Sequence, residues 1–162
     1  MKVSIIAVGK IKEKYLKEAI SEYAKRLSKF CDLNILEIDE NSLQVENESN
    51  IKKALEIEAS LISKKTKDLK TDKTFIFALD INGKELSTID FYQKIEDIKI
   101  SGIANIIFII GGSYGLDESI KKMADFRFSF SRLTFPHQLF RVILLEQIYR
   151  IFKIEHNEPY HK

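Results

Sequence analysis

Residues 106–115 read Ile106-Ile-Phe-Ile-Ile-Gly-Gly-Ser-Tyr-Gly115, five apolar side chains in succession followed by a loop in which three of five residues are glycine. A strand with one wet face alternates apolar and polar residues, whereas an unbroken apolar run suits a strand covered on both faces, as in a parallel sheet. Sheets of that kind bind small molecules beyond the carboxyl ends of their strands. Gly111, Gly112 and Gly115 would there let backbone N–H groups approach a ligand closely. A Gly-Gly pair equally suits a tight turn into the next helix. The neighbouring segment, Ser129-Phe-Ser-Arg-Leu-Thr-Phe-Pro-His-Gln-Leu-Phe-Arg141, favours the ligand site, because it carries groups that a plain turn does not need.

Outward from this strand, helical and extended patterns alternate along the whole chain. Val3–Val8 reads as a strand, and Tyr15, Leu16, Ala19, Ile20, Tyr23, Ala24 and Leu27 recur at helical spacing behind it. Leu33–Ile38 is a second strand, and an acidic, Asn-rich loop from Asp39 to Asn50 leads into a helix over about Ile51–Lys67. Thr74–Leu79 is a third strand, after which Asn82-Gly83 turns the chain. Ser87-Thr-Ile-Asp90 has the form of a capping box and opens a helix through Lys99. The strand ending at Gly111 follows, then a short helix from near Asp117 and a fifth strand over Phe126–Ser131. Thr134, with Pro136 in the first turn, is read as the start of a long last helix. The alternation predicts an α/β fold with a mainly parallel sheet flanked by helices, in one domain spanning residues 1–162.

In the last helix, residues 139–152 spread their apolar side chains over an arc of roughly 200°, wider than the ~100° stripe that covers a single core. A second apolar side is most simply filled by a second copy, so the sequence predicts a homodimer built on this helix. Arg141 lies within the arc, either in a first turn open to solvent or as a paired, semi-buried arginine near a site.

Composition narrows the function classes. No apolar stretch approaches the ~20 residues that span a bilayer, and Val3–Val8 is too short for a signal-peptide core, which predicts a cytoplasmic protein. The single cysteine, Cys31, reads as a small buried hydrophobe, and no Cys/His spacing suggests a metal. Net charge is +2, yet residues 121–162 carry eight Lys/Arg against four acids, together with four of the five arginines and all three histidines. Arginine's planar fork suits phosphate and carboxylate, so this end predicts an anionic partner.

Gly111-Gly-Ser-Tyr-Gly115 also matches the nucleophile elbow Gly-x-Ser-x-Gly, with Asp125 and His137 in the order that a hydrolase triad would need. The chain is short for that fold, and it lacks a His-Gly-Gly-Gly oxyanion segment. Neither a Walker A loop nor Gly-x-Gly-x-x-Gly is present, so a phosphate cradle is unsupported. A neutral or cationic nucleoside, held by backbone and apolar walls, fits better.

Five segments together, Ala7-Val-Gly-Lys-Ile-Lys-Glu-Lys-Tyr15, Phe108-Ile-Ile-Gly-Gly-Ser-Tyr-Gly-Leu116, Phe130-Ser-Arg-Leu-Thr-Phe-Pro-His-Gln-Leu-Phe-Arg-Val142, Glu146-Gln-Ile-Tyr-Arg150 and Tyr160-His161, resemble the RlmH (YbeA-like) family of SPOUT methyltransferases. The resemblance implies a carboxyl-terminal trefoil knot and a homodimer. It further implies methyl transfer from S-adenosylmethionine to N3 of a pseudouridine (the 1915-type position) in 23S ribosomal RNA of the assembled ribosome. Carried onto this sequence, it places the cofactor against Leu79, Gly111, Phe130, Ser131, Arg132, Leu133, Thr134 and Phe135. It assigns Tyr160 and His161 to target binding and catalysis, in the partner's site, with His161 a candidate base because imidazole titrates near neutrality. Arg132, Arg141, Arg150 and Lys162 are then the expected RNA contacts; Arg150 alternatively pairs with Glu146 one turn earlier. Two other readings remain: a SPOUT enzyme for another RNA, and a ribosome-binding module without catalysis.

Overall fold

Each predicted element forms in the computed structural model, which describes residues 1–41 and 43–160. In chain order they are β1 (Lys2–Val8), α1 (Lys14–Leu27), β2 (Asp32–Ile38), α2 (Glu48–Leu69), β3 (Thr74–Glu85), α3 (Thr88–Ile100), β4 (Asn105–Ile110), α4 (Glu118–Met123), β5 (Phe126–Ser129) and α5 (His137–Glu155). The strands form one sheet in the order β2-β1-β4-β3-β5, and every pairing is parallel. The unbroken apolar run is therefore the middle strand, and Ile106 to Ile110 are all buried.

Alternate side chains of the same strands feed two separate cores, as the period of two requires. Val3, Ile5, Phe77, Ile106 and Phe108 face α1, α3 and α5, where they meet Leu27, Phe91, Ile95, Leu144 and Ile148. Ile6, Val8, Ile76, Ile107 and Ile109 face α2 and α4, where they meet Ala59, Ile62 and Ile120. Aromatic rings knit the first core: Phe77 stacks on Phe108 at 4.9 Å between centroids, and Phe91 lies 4.8 Å from Phe128. At about 1.5–3 kcal/mol for each large side chain taken from water, these two layers supply the driving force for the fold.

Three local readings change. Asn82-Gly83 does not reverse the chain: β3 bulges outward over residues 80–83 and resumes, so that Leu79 and Lys84 both pair with Phe128 of β5. Gly83 is needed because the bulge lies flat on β5, where a Cβ would come within 2.7 Å of the Arg127 carbonyl group. Thr134 does not cap the last helix, which begins at His137 with Pro136 at the capping position and no side-chain cap. Pro136 disfavours helical backbone at the residue before it, which moves the start of the helix past Thr134. The capping box of α3 forms as read, with Ser87 accepting from the Asp90 amide and Asp90 accepting from the Ser87 amide. Finally, much of the wide apolar arc of α5 is filled within the chain, with Leu144, Leu145, Ile148, Ile151 and Phe152 buried. Tyr149 packs on Tyr23 of α1, and Gln147 accepts a hydrogen bond from Thr88 at the start of α3. The width of the arc alone therefore does not require a second copy, although Leu139 stays exposed.

Among the described residues, no helix is long and apolar enough to cross a membrane.

Candidate active site

The carboxyl ends of β3, β4 and β5 converge on a cavity of about 770 Å³, walled by the loop after β4 and by the loop between β5 and α5. That volume lies within the ~300–1,000 Å³ of small-molecule sites. Of the residues expected at a cofactor, Leu79, Gly111, Phe130, Ser131, Leu133, Thr134 and Phe135 line it. The Arg132 side chain does not; it is 94% exposed, with only a loose contact to Glu85 at 3.6 Å.

The glycine loop is built by closing on itself. Gly112 and Gly115 form an isolated antiparallel bridge, and the Gly115 amide donates to the Gly112 carbonyl at 3.1 Å. Gly111 permits this closure, since a Cβ there would sit 2.2 Å from the Gly115 carbonyl oxygen. The glycines are thus required first by the shape of the cavity wall, and any approach of a ligand follows from that shape. The facing wall is shaped by serines: the Ser129 hydroxyl donates to the Ser131 carbonyl, and the Ser131 hydroxyl accepts from the Leu133 amide at 2.9 Å. Phe130 packs edge-on against Phe140 of α5 at 5.0 Å, which ties this wall to the last helix.

A carboxylate that sequence reasoning missed holds the glycine loop in place. Glu40, just beyond the end of β2, accepts from the Ser113 amide at 3.0 Å and from the Ser113 hydroxyl at 2.6 Å, with His137 3.9 Å away. Burial works against the charge of Glu40, but the two Ser113 hydrogen bonds and the proximity of His137 and Lys12 hold its pKa below the usual glutamate value. Behind it, Glu58 is almost fully buried and accepts from the Asn41 amide; burial pushes its pKa up, as does the charge of Glu40. These contacts dispose of the hydrolase arrangement. The Ser113 hydroxyl donates to a carboxylate rather than to an imidazole, and Asp125 is engaged at the Ile76 amide.

Arg141 takes the second of its two expected settings. Its side chain is 1% exposed, and it donates to Glu37 at 2.6 Å and to the Val8 and Gly9 carbonyls, locking the start of α5 to the end of β1. Burial draws the guanidinium pKa down and Glu37 opposes that shift. So enclosed a group cannot face RNA, and Arg141 is removed from the expected RNA contacts. Arg150 donates to Glu146, as the one-turn spacing allows.

Tyr160 does not line this cavity. Tyr160 donates to Glu146 at 3.0 Å and meets Tyr149 edge-on at 5.0 Å, with the Arg150 guanidinium 5.0 Å from its ring centre. Tyr149 follows the cavity-lining Phe140 by nine residues, about 13 Å along the helix. Burial, then the bond to Glu146, raises the Tyr160 pKa. His161 and Lys162 lie outside the described residues. Among the described residues, no group of three or more His, Cys, Asp or Glu side chains could hold a metal ion.

A family model described as predicted SPOUT methyltransferase matches residues 1–161. The chain is 50% identical to a protein of Ruminiclostridium cellulolyticum named ribosomal RNA large subunit methyltransferase H, over 100% of both chains. Proteins of the same name from Clostridium tetani and Clostridium botulinum (strain Kyoto) are 50% and 51% identical, again over 100% of both chains.

Proposed function

The chain belongs to the SPOUT methyltransferase family, and on that premise we propose that it methylates large-subunit ribosomal RNA, at N3 of a pseudouridine of the 1915 type, with S-adenosylmethionine as donor. The observation that carries this reading is the cavity itself, in which Leu79, Gly111 and the run 130–135 converge from three strand ends. The fit to the donor is chemical. Aromatic and aliphatic side chains with backbone polar groups between them line much of the cavity, as a nucleoside requires, alongside the polar side chains of Asp80, Asn82 and Lys121. When bound, S-adenosylmethionine supplies a methyl on a sulfonium for direct displacement. The residues of the chain contribute placement: Phe130 and Leu79 would hold the donor's apolar part, and the Gly111–Gly115 loop would orient it. Alignment of this kind is the main contribution to a displacement of this type.

The acceptor nitrogen must lose a proton. Tyr160 and His161 are assigned to that end of the reaction, Tyr160 stacking on or hydrogen-bonding the target base and His161 taking the proton. Tyr160 packs on Tyr149, nine residues along α5 from the cavity-lining Phe140, which supports a homodimer in which each tail serves the partner's site. Exposed Leu133 and Leu139 beside the cavity supply apolar surface for such a contact. The trefoil knot draws support from the course of the chain. β5 is at the sheet edge, yet α5 starts against β1, so residues 130–136 cross back over the ends of β3 and β4. Arg132 and Lys162 are the arginine and lysine contacts to RNA, Arg150 being paired with Glu146, and a ribosomal substrate implies a cytoplasmic protein.

The test is mass spectrometry of ribosomal RNA from a strain lacking the protein. One methyl should be lost from one pseudouridine and restored in vitro by protein, donor and assembled ribosomes. Unchanged RNA refutes the proposal.

A further inference from the structure

The segment Lys10-Ile-Lys-Glu-Lys-Tyr15 has no part in the donor cavity, yet it is rigidly mounted on its rim. Ile11 is buried, and its amide donates to Glu37 at 3.0 Å. The Lys12 amide donates to Gln138 at 3.0 Å, one residue beyond the cavity-lining His137. From this base Lys10, Lys12, Lys14, Tyr15 and Lys17 all stand exposed, while Leu16 anchors the helix beneath them. Lys10 is held by Asp39 at 2.7 Å, and Lys14 reaches Glu18 at 3.7 Å. Among the described residues, Lys12 and Lys17 have no acidic partner within 4.0 Å. Tyr15 is 65% exposed, so most of its ring contributes no burial to the fold.

We propose that Lys12, Lys14, Tyr15 and Lys17 form an RNA-contact strip, with the lysines on phosphates and Tyr15 stacked on an unpaired base beside the target nucleotide. The inference rests on the RNA methyltransferase reading. Lysine ammoniums are point charges suited to phosphate without demanding a planar fork, and an exposed aromatic ring offers a face that only an unstacked base can use. With Arg132 in the loop that forms another part of the cavity wall, the strip gives the RNA a second place of attachment near the mouth. A nucleotide turned out of its stack into the mouth would thus be held through its neighbours.

The experiment measures binding of the full protein to unmethylated ribosomes over a salt series, and S-adenosylmethionine affinity separately by calorimetry. Lys12→Ala combined with Lys17→Ala should lower the slope of log K against log salt by about two. Tyr15→Ala should weaken binding about fivefold to a hundredfold, the range seen on removing a stacking aromatic, whereas Tyr15→Phe should bind as wild type. Lys64→Ala with Lys65→Ala, exposed near the far end of α2, should leave the slope unchanged, and donor affinity should be constant throughout. Wild-type ribosome binding by the strip variants overturns the proposal. So does an equal loss in the α2 control, which would reduce the effect to net charge. A Tyr15→Ala protein that turns monomeric in light scattering with its salt slope intact assigns the ring to a protein contact and overturns it too. A wild-type chain that binds no ribosome overturns the methyltransferase reading along with the strip.

Discussion

Gly111→Ala adds one methyl group at the tightest point of the cavity wall. The new Cβ would lie 2.2 Å from the Gly115 carbonyl oxygen and 2.5 Å from its carbon, both main-chain atoms that cannot rotate away. To bring the shorter contact to even 3.0 Å, the loop must open by about 0.8 Å. Overpacking of this kind costs about 1–3 kcal/mol, which for a chain of this size lowers Tm by roughly 2–12 °C. A wall misplaced by ~1 Å should cost on the order of a hundredfold in the rate of methyl transfer and weaken donor binding with it. Two other glycines separate strain from misplacement. Gly115 and Gly102 have φ of 81° and 85° with open space where a Cβ would go, so alanine there carries backbone strain but meets no atom. That strain is about 1–2 kcal/mol. Gly102 lies between α3 and β4, at the amino end of that strand and so at the opposite end of the sheet's strands from the cavity. Thermal unfolding and calorimetry with S-adenosylmethionine should therefore show Gly102→Ala losing stability alone and Gly111→Ala losing both stability and donor affinity. Wild-type affinity in Gly111→Ala would refute the wall as the donor site.

Arg141→Ala empties the space of a buried side chain and leaves the Val8 and Gly9 carbonyls without its donors, and should cost about 2–5 kcal/mol in urea unfolding while the salt dependence of ribosome binding is kept. Glu40 has a folded pKa depressed from 4.5, so its stabilisation is complete above the unfolded value and is lost as pH falls through the folded one. The stability difference between wild type and Glu40→Gln should accordingly be full above about pH 4.5 and vanish on further acidification; a difference constant with pH refutes the assignment. Tyr160→Ala should abolish methylation and spare donor binding, and co-expression with Gly111→Ala should restore part of the activity through a mixed dimer. No recovery in the mixed dimer would argue against a shared site.

The sheet was legible because its evidence is local. The unbroken run at 106–110 states that both faces of β4 are covered, and the capping box at Ser87 states where α3 begins. What the sequence did not show depends on contacts between distant segments. Asn82-Gly83 has the composition of a turn, and only the flat approach of β5 makes it a bulge. Asp80 within that bulge accepts twice from Arg127, and its pKa falls despite burial. Glu40 and Ser113 are 73 positions apart and meet because β1 and β4 are neighbours while β2 lies beyond β1. No periodicity within the acidic loop after β2 distinguishes Glu40 from Asp39, which faces outward to Lys10.

Charge misled only about which residues would meet an anionic partner, for a physical reason. An excess of arginine in the last quarter of the chain implies an anionic surface partner only where the guanidiniums are free. Arg127 is bound by Asp80, Arg141 by Glu37 and Arg150 by Glu146, whereas Arg132 keeps only a loose contact to Glu85. Most of that excess holds the fold together: Arg127 braces the β3 bulge and Arg141 fastens α5 to β1. A surface for RNA must then draw on cations that the fold leaves in water. Those include Lys12 beside the cavity and Lys17 farther along α1, in the segment whose net charge gave no hint of them because the acids around them cancel the sum. For a phosphate arriving at the mouth of the cavity, the sum over a hundred residues is screened beyond ~8 Å, and the few ammoniums at the rim decide the attraction.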